Sequence, residues 1–186
     1  VSLLSIAIIA FQLSLIQILS IVQWYHFAYM VISVALLGFG AAGTTLSLAR
    51  KFLVEKAELL VPGIMILSGL TMAVSVSVAQ GESIRFDSYL LFADYAHFWK
   101  LIATYLLFFI PFFLGALAIG IVFIKYIDKI GVLYFANMLG SGIGGVAAVF
   151  LMWVSFPQKR PAVIAGIAFL AGLIIISIEQ QTGFTI

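Results

Sequence analysis

The chain contains no cysteine and very little charge, and these two absences exclude much of what a protein of 186 residues ordinarily does. Without cysteine there are no disulfides, no thiolate nucleophile, no iron–sulfur cluster and no Cys-type zinc site. Only 9% of the residues are charged, against roughly 25% in soluble domains, so a water-soluble fold would lack the groups to cover its surface. The net charge of +2 is thinly spread, which speaks against nucleic-acid binding and against a strong anionic-lipid patch. No basic n-region or small-residue cleavage site marks a signal peptide.

What is present is hydrocarbon-compatible sequence: 65% hydrophobic residues and a mean hydropathy of +1.26. Every Lys, Arg, Asp and Glu lies outside the stretches 1–22, 27–49, 59–79, 101–124, 130–156 and 162–178. A helix needs roughly 20 apolar residues to cross about 30 Å of hydrocarbon. The sequence therefore predicts an all-α membrane protein of six transmembrane helices, forming one polytopic domain over 1–186. The start at Val1 and the short polar stretch 179–186 lead to the expectation of a membrane portion of something longer. Among the connections, Arg50, Lys51, Lys56, Lys125 and Lys129 fall on one side, and Arg85, Lys100, Lys159 and Arg160 on the other. Five against four favours both termini in the cytoplasm.

Aligning the spans brings out an internal repeat. Leu37-Gly38-Phe39-Gly40-Ala41-Ala42-Gly43 in the second span matches Leu139-Gly140-Ser141-Gly142-Ile143-Gly144-Gly145 in the fifth, at an offset of 102 residues. The same offset carries the end of span one onto the end of span four. Three spans per copy make the copies run in opposite directions, so the pattern predicts an inverted three-plus-three repeat with halves at about 1–84 and 103–186. Between the halves, 80–100 is the longest connection, carrying Phe86, Tyr89, Phe92, Tyr95, Phe98 and Trp99. Wound as a helix it gathers Ser83, Asp87, Asp94 and His97 on one face, the pattern of an interfacial helix over about 83–99 between spans 3 and 4.

No catalytic constellation is visible. Gly38-Phe39-Gly40-Ala41-Ala42-Gly43 is a literal G-x-G-x-x-G, but dinucleotide binding needs a preceding strand and an exposed turn, whereas these glycines sit within an apolar helix. Helix packing is the better account, because small residues let backbones approach in a solvent that supplies no hydrophobic drive. Gly38, Gly40 and Gly43 are accordingly expected to meet Gly140 and Gly144, which makes spans two and five neighbours. Polar candidates inside the bilayer are Gln12, Gln17, Thr44, Thr45, Thr104, Tyr105, Tyr134 and Asn137. They are read either as interhelical hydrogen bonds or as the lining of a site, with Gln12, Tyr134 and Asn137 nearest a central one. The absence of formal charge at mid-depth argues against a proton or ion pump. His26 and His97 fall at one membrane face and are candidates for holding a haem or chlorophyll through imidazole nitrogen, with a plain interfacial histidine as the alternative. No metal site is legible. Pro111 is expected to kink span four, without a counterpart in span one.

The run Leu133-Tyr134-Phe135-Ala136-Asn137-Met138-Leu139-Gly140-Ser141-Gly142-Ile143-Gly144-Gly145 resembles the "LYxANxxGxxxG" stretch of membrane-embedded spermidine synthase-like proteins. The stretch 39–48, following 32–38, is similar to their Gly-rich second span. The likeness covers most of the chain. It implies a non-catalytic module of the bacterial-type plasma membrane, preceding a cytoplasmic Rossmann-like aminopropyltransferase-type domain whose acidic residues would handle decarboxylated S-adenosylmethionine and polyamine. No catalytic residue carries over to these positions. The implied partners are membrane lipids together with other subunits or that soluble domain. Two alternatives stay open: a small half-transporter that dimerises, and an accessory subunit of a larger membrane complex associated with a cofactor or quinone.

Overall fold

The structure, a computed structural model, describes residues 1–22, 26–79 and 95–154. All its elements are helical: α1 (Ser2–Val22), α2 (His26–Leu48), α3 (Arg50–Glu55), α4 (Ala57–Ala79), α5 (Tyr95–Lys125), a 3-10 turn at Ile127–Lys129, and α6 (Ile130–Val154). No strand occurs among the described residues. Helix is what hydrocarbon demands of a spanning segment, because it offers no partner to an unpaired backbone group. Four helices are long and apolar enough to cross a membrane, over Tyr29–Leu48, Ala57–Ser75, Phe98–Lys125 and Ile127–Phe150. In α1 the apolar stretch Ser2–Gln17 is shorter. The expected sixth span at 162–178 lies outside the described residues.

Many of the hydroxyl groups obey the same rule, although the buried Ser14 hydroxyl has no partner among the described residues. Ser33, Thr44, Thr45 and Thr104 each donate to the carbonyl four residues back in their own helix, at 2.7–3.1 Å. Thr71 and Ser75 donate three residues back, both at 2.9 Å. Three of the polar candidates read from sequence, Thr44, Thr45 and Thr104, are thereby satisfied within their own turns.

Close approaches fix how the helices run. A Cβ placed on Gly38 would meet Phe112, and one on Gly120 would meet Leu46. Moving eight residues along α2 therefore moves eight along α5, so the two are parallel and in register. Ser2 lies against Gly140 and Ile6 against Gly144, so α1 and α6 are parallel as well. Glu58 pairs with Lys125 at 2.8 Å, and Ser68 Oγ donates to the Pro111 carbonyl at 3.2 Å, so α4 and α5 run antiparallel. The core lies between α1, α2, α4 and α5, with Phe11, Phe108, Phe112, Met65 and Met72 fully buried.

Two sequence expectations are corrected here. The second and fifth spans do not meet through their glycines. Gly38 packs on α5, Gly140 and Gly144 pack on α1, and Gly40 and Gly43 have nothing within 4 Å of an added Cβ. Similarity between two glycine faces does not make them partners, because each accepts any helix backbone of suitable shape. Likewise, Tyr95–Trp99 is not the tail of a separate interfacial helix. It forms the first turns of α5, which at 31 residues is roughly 46 Å long and overreaches the hydrocarbon. Phe98 and Trp99, exposed and edge-to-face at 6.4 Å, sit at its start in the manner of an aromatic belt. The remainder of that expected helix, 83–94, lies outside the described residues. Pro111 does not end α5: the helix continues to Lys125 around a buried proline.

The connection expected over 50–58 is itself largely helical. Ala49 (φ −107°, ψ 20°) turns the chain into α3, and Lys56 (φ −99°, ψ 16°) turns it out again. The Lys56 ammonium lies 4.9 Å from the centre of the Phe52 ring. With α2 and α5 parallel and α4 antiparallel to them, Arg50, Lys51, Lys56, Lys125 and Lys129 gather at one end of the bundle.

Candidate functional site

A cavity of about 420 Å³ lies between α1, α2, α5 and α6. Ser5, Ile8 and Ile9 of α1 line one side, with Asn137 and Ser141 of α6. The facing side comes from Phe39, Ala42, Gly43 and Leu46 of α2 and Ala116, Ile119 and Gly120 of α5. It occupies the gap where the second and fifth spans would otherwise have met, held open by the two parallel pairs. The volume falls within the range of small-molecule sites, and the wall has the usual makeup of apolar groups with a few polar ones.

The polar wall is built by α6. Asn137 and Ser141, one helical turn apart, share a face with Gly140 and Gly144, and the glycines bring α1 close enough for Ser5 to reach across. Ser5 Oγ donates to Asn137 Oδ1 at 2.6 Å. The same hydroxyl lies 3.1 Å from the Val1 carbonyl, but its single proton serves one acceptor at a time. The 2.6 Å separation suits O–H···O rather than an amide N–H donor, which is longer by some 0.3 Å. Asn137 Nδ2 and the Ser141 hydroxyl have no partner among the described residues. No charged residue lines the cavity, so it holds no general acid or base.

Of the three site-lining residues expected from sequence, Asn137 alone is in the wall. Gln12 is half-buried on α1, seven residues beyond Ser5, and does not line the cavity. Tyr134 is 55% exposed on α6 and does not line the cavity. Gly43, expected to pack helices, lines the cavity instead. Sequence reasoning missed Ser5 and Ser141. The available signal for Ser141 was its spacing of four from Asn137; Ser5 carried none, because nothing in the sequence pairs α1 with α6. His26 opens α2, and the register of α2 on α5 sets it level with Lys100, so His26 and His97 belong to the same end of the bundle. Their side chains lie outside the described residues, as do Glu82, Asp87 and Asp94. No group of three His, Asp or Glu residues able to hold a metal ion occurs among the described residues.

The Ser5–Asn137 bond is the one side-chain hydrogen bond between α1 and α6 among those described. Interhelical hydrogen bonds in membranes average about 0.6 kcal/mol. A double-mutant cycle with Ser5→Ala and Asn137→Ala should return a coupling of that order. A coupling above about 2 kcal/mol would mean that the amide organises more than this pair. No protein-family model matches the chain, and neither a curated protein nor a solved structure matches it.

Proposed function

We propose that the chain is a non-catalytic membrane module, similar to the membrane portion of spermidine synthase-like proteins, which anchors or serves a catalytic domain or partner at the plasma membrane. The observation that carries this reading is the use to which α6 puts the resembling residues. Gly140 and Gly144 seat the backbone of α1, and Asn137 holds Ser5. A motif occupied with docking one helix on another is what a scaffold needs, and the adjoining cavity has no ionisable group with which to do chemistry.

The inverted three-plus-three arrangement of six spans belongs to the same proposal. In its support, the motif glycine of each half lies against the first helix of the other half: Gly38 on α5, Gly140 on α1. The pairs α1 with α6 and α2 with α5 are the equivalents that such a repeat requires, and both are parallel. The registers differ, since an offset of 102 carries Ser2 to Thr104 while Gly38 meets Phe112. The halves thus correspond in arrangement and not residue by residue. The basic end formed by Arg50, Lys51, Lys56, Lys125 and Lys129 favours the cytoplasmic side for that end, and both termini there in a six-span chain.

The test is the intact mass of the native particle, purified gently from its own membrane. The expected result is a longer polypeptide with a soluble nucleotide-binding-like domain, or a stoichiometric complex with such a partner. A particle built only of 20.2 kDa chains would sink the module reading.

One observation favours a second reading, a dimerising half-transporter. The cavity lies where four helices of the two halves converge, the place at which repeat-built transporters bind substrate. Solute uptake into proteoliposomes distinguishes it from the module.

A further inference from the structure

We infer that the cavity between α1, α2, α5 and α6 binds an uncharged, lipid-soluble molecule through a carbonyl oxygen, with Asn137 Nδ2 and the Ser141 hydroxyl as its donors. This rests on the cavity serving as a site, as in the second reading above, and is independent of the module reading.

The wall offers hydrogen-bond donors that it leaves unused. Ser5 commits its proton to Asn137 Oδ1 at 2.6 Å, so the end of the amide left over is the nitrogen, with two protons. The Ser141 hydroxyl, one turn further along α6, adds a third donor. Unpaired donors that face hydrocarbon are costly, and the cost is relieved by an acceptor brought to them. A carboxylate or phosphate is the wrong acceptor, because no Lys, Arg or His lines the wall to balance its charge. A neutral carbonyl oxygen fits: it accepts more than one hydrogen bond and brings no charge into hydrocarbon.

The rest of the wall fits the body of such a molecule. Opposite the donors stand Phe39, Leu46 and Ile119, and Ile8 lies on the donors' own side; all four suit a ring or an alkyl chain. Gly43 makes room for it: it lies in the wall, and a Cβ there would meet nothing within 4 Å. Packing therefore does not require glycine at this position, unlike Gly38, Gly140 and Gly144. What the missing side chain leaves is volume.

Two sources supply this chemistry, an acyl ester of the bilayer's own lipids and a free lipid-soluble carbonyl compound. Asn137 is the only asparagine in the chain, so labelling asparagine with ¹⁵N gives a single side-chain amide pair in the NMR spectrum. The full chain is placed in nanodiscs of ether-linked phosphatidylcholine and titrated with a benzoquinone bearing a ten-carbon tail. It is then compared with the chain in ester-linked phosphatidylcholine. A saturable shift of the amide pair with the quinone identifies the free carbonyl compound as the ligand class. A shift on changing from ether to ester lipid identifies the acyl ester. Gly43→Leu, which fills the cavity, should abolish either response while the resonance of the folded chain remains. Should Gly43→Leu not fold, Ser141→Ala keeps the volume and removes one donor, which should weaken the titration roughly fivefold, the equivalent of one hydrogen bond of about 1 kcal/mol. An amide pair that responds to neither carbonyl source, or that responds equally in the cavity variants, overturns the inference. Because occupancy and not uptake is read, a bound ligand without transport would retire the half-transporter reading and leave the site standing.

Discussion

Replacing Gly140 or Gly144 by alanine is expected to push α1 away from α6 and to give the largest loss of stability of any single methyl group added to this chain. At Gly140 the new Cβ would run into the carbonyl of Ser2. At Gly144 it would stand 2.7 Å from the carbonyl oxygen of Ile6 and 2.9 Å from its Cα. These obstacles are backbone, which cannot turn aside as a flexible side chain can. Overpacking typically costs about 1–3 kcal/mol, and each substitution should fall in the upper part of that range. Moving α1 outward also lengthens the Ser5–Asn137 bond, so the two effects are coupled and will not add independently. The controls lie on the same helix. Gly142→Ala and Gly145→Ala meet nothing within 4 Å and should leave stability unchanged or raise it by up to about 1 kcal/mol, the ordinary advantage of alanine over glycine inside a helix. Equilibrium unfolding in bicelles of all four variants decides the matter. Equal losses at the four positions would mean that lipid contact, and not the α1 backbone, sets the requirement for glycine, since helix propensity by itself favours alanine.

Phe112→Ala should be the most damaging truncation in the core. The ring is fully buried, 5.6 Å from Phe11 of α1 and 6.5 Å from Phe39 of α2, centre to centre. Its Cβ also forms the surface on which Gly38 rests. In water a Phe→Ala change costs about 3–5 kcal/mol through lost transfer energy together with a cavity. In the bilayer most of the transfer part disappears, because lipid is as apolar as the core. The cavity part persists: roughly 100 Å³ removed at about 24 cal/mol per Å³ gives about 2 kcal/mol. Phe135→Ala, at an exposed position on α6, removes the same atoms from a surface that lipid can refill and should cost far less. The comparison of the two variants isolates packing from hydrophobicity. Similar losses would mean that α1, α2 and α5 do not converge on Phe112.

The presence of helices long and apolar enough to cross a membrane was legible in the sequence because it depends on length and on the placement of charge, both local properties. Spans over 1–22, 27–49, 59–79 and 130–156 correspond closely to α1, α2, α4 and α6. The start of α5 was misplaced at 101, because aromatic residues at an interface read equally well as a separate amphipathic helix or as the first turns of a long span. The gathering of Arg50, Lys51, Lys56, Lys125 and Lys129 at one end was also legible, since alternation of spans follows from their count.

Which helix touches which was decided by the tertiary structure alone. Gly38 and Gly140 belong to matching strings, yet one seats α5 and the other α1, because a glycine records that something approaches closely and not what approaches. Asn137 could be picked out as a deep amide, but its partner Ser5 lies 132 residues away on a helix with no pattern pointing to it. Gly43, identical in sequence logic to Gly38, turned out to contribute empty space. In a membrane the hydrophobic effect inserts the helices and then falls silent. Their pairing rests on shape and on a few hydrogen bonds, and those are properties of surfaces in contact that no single helix carries in its own sequence.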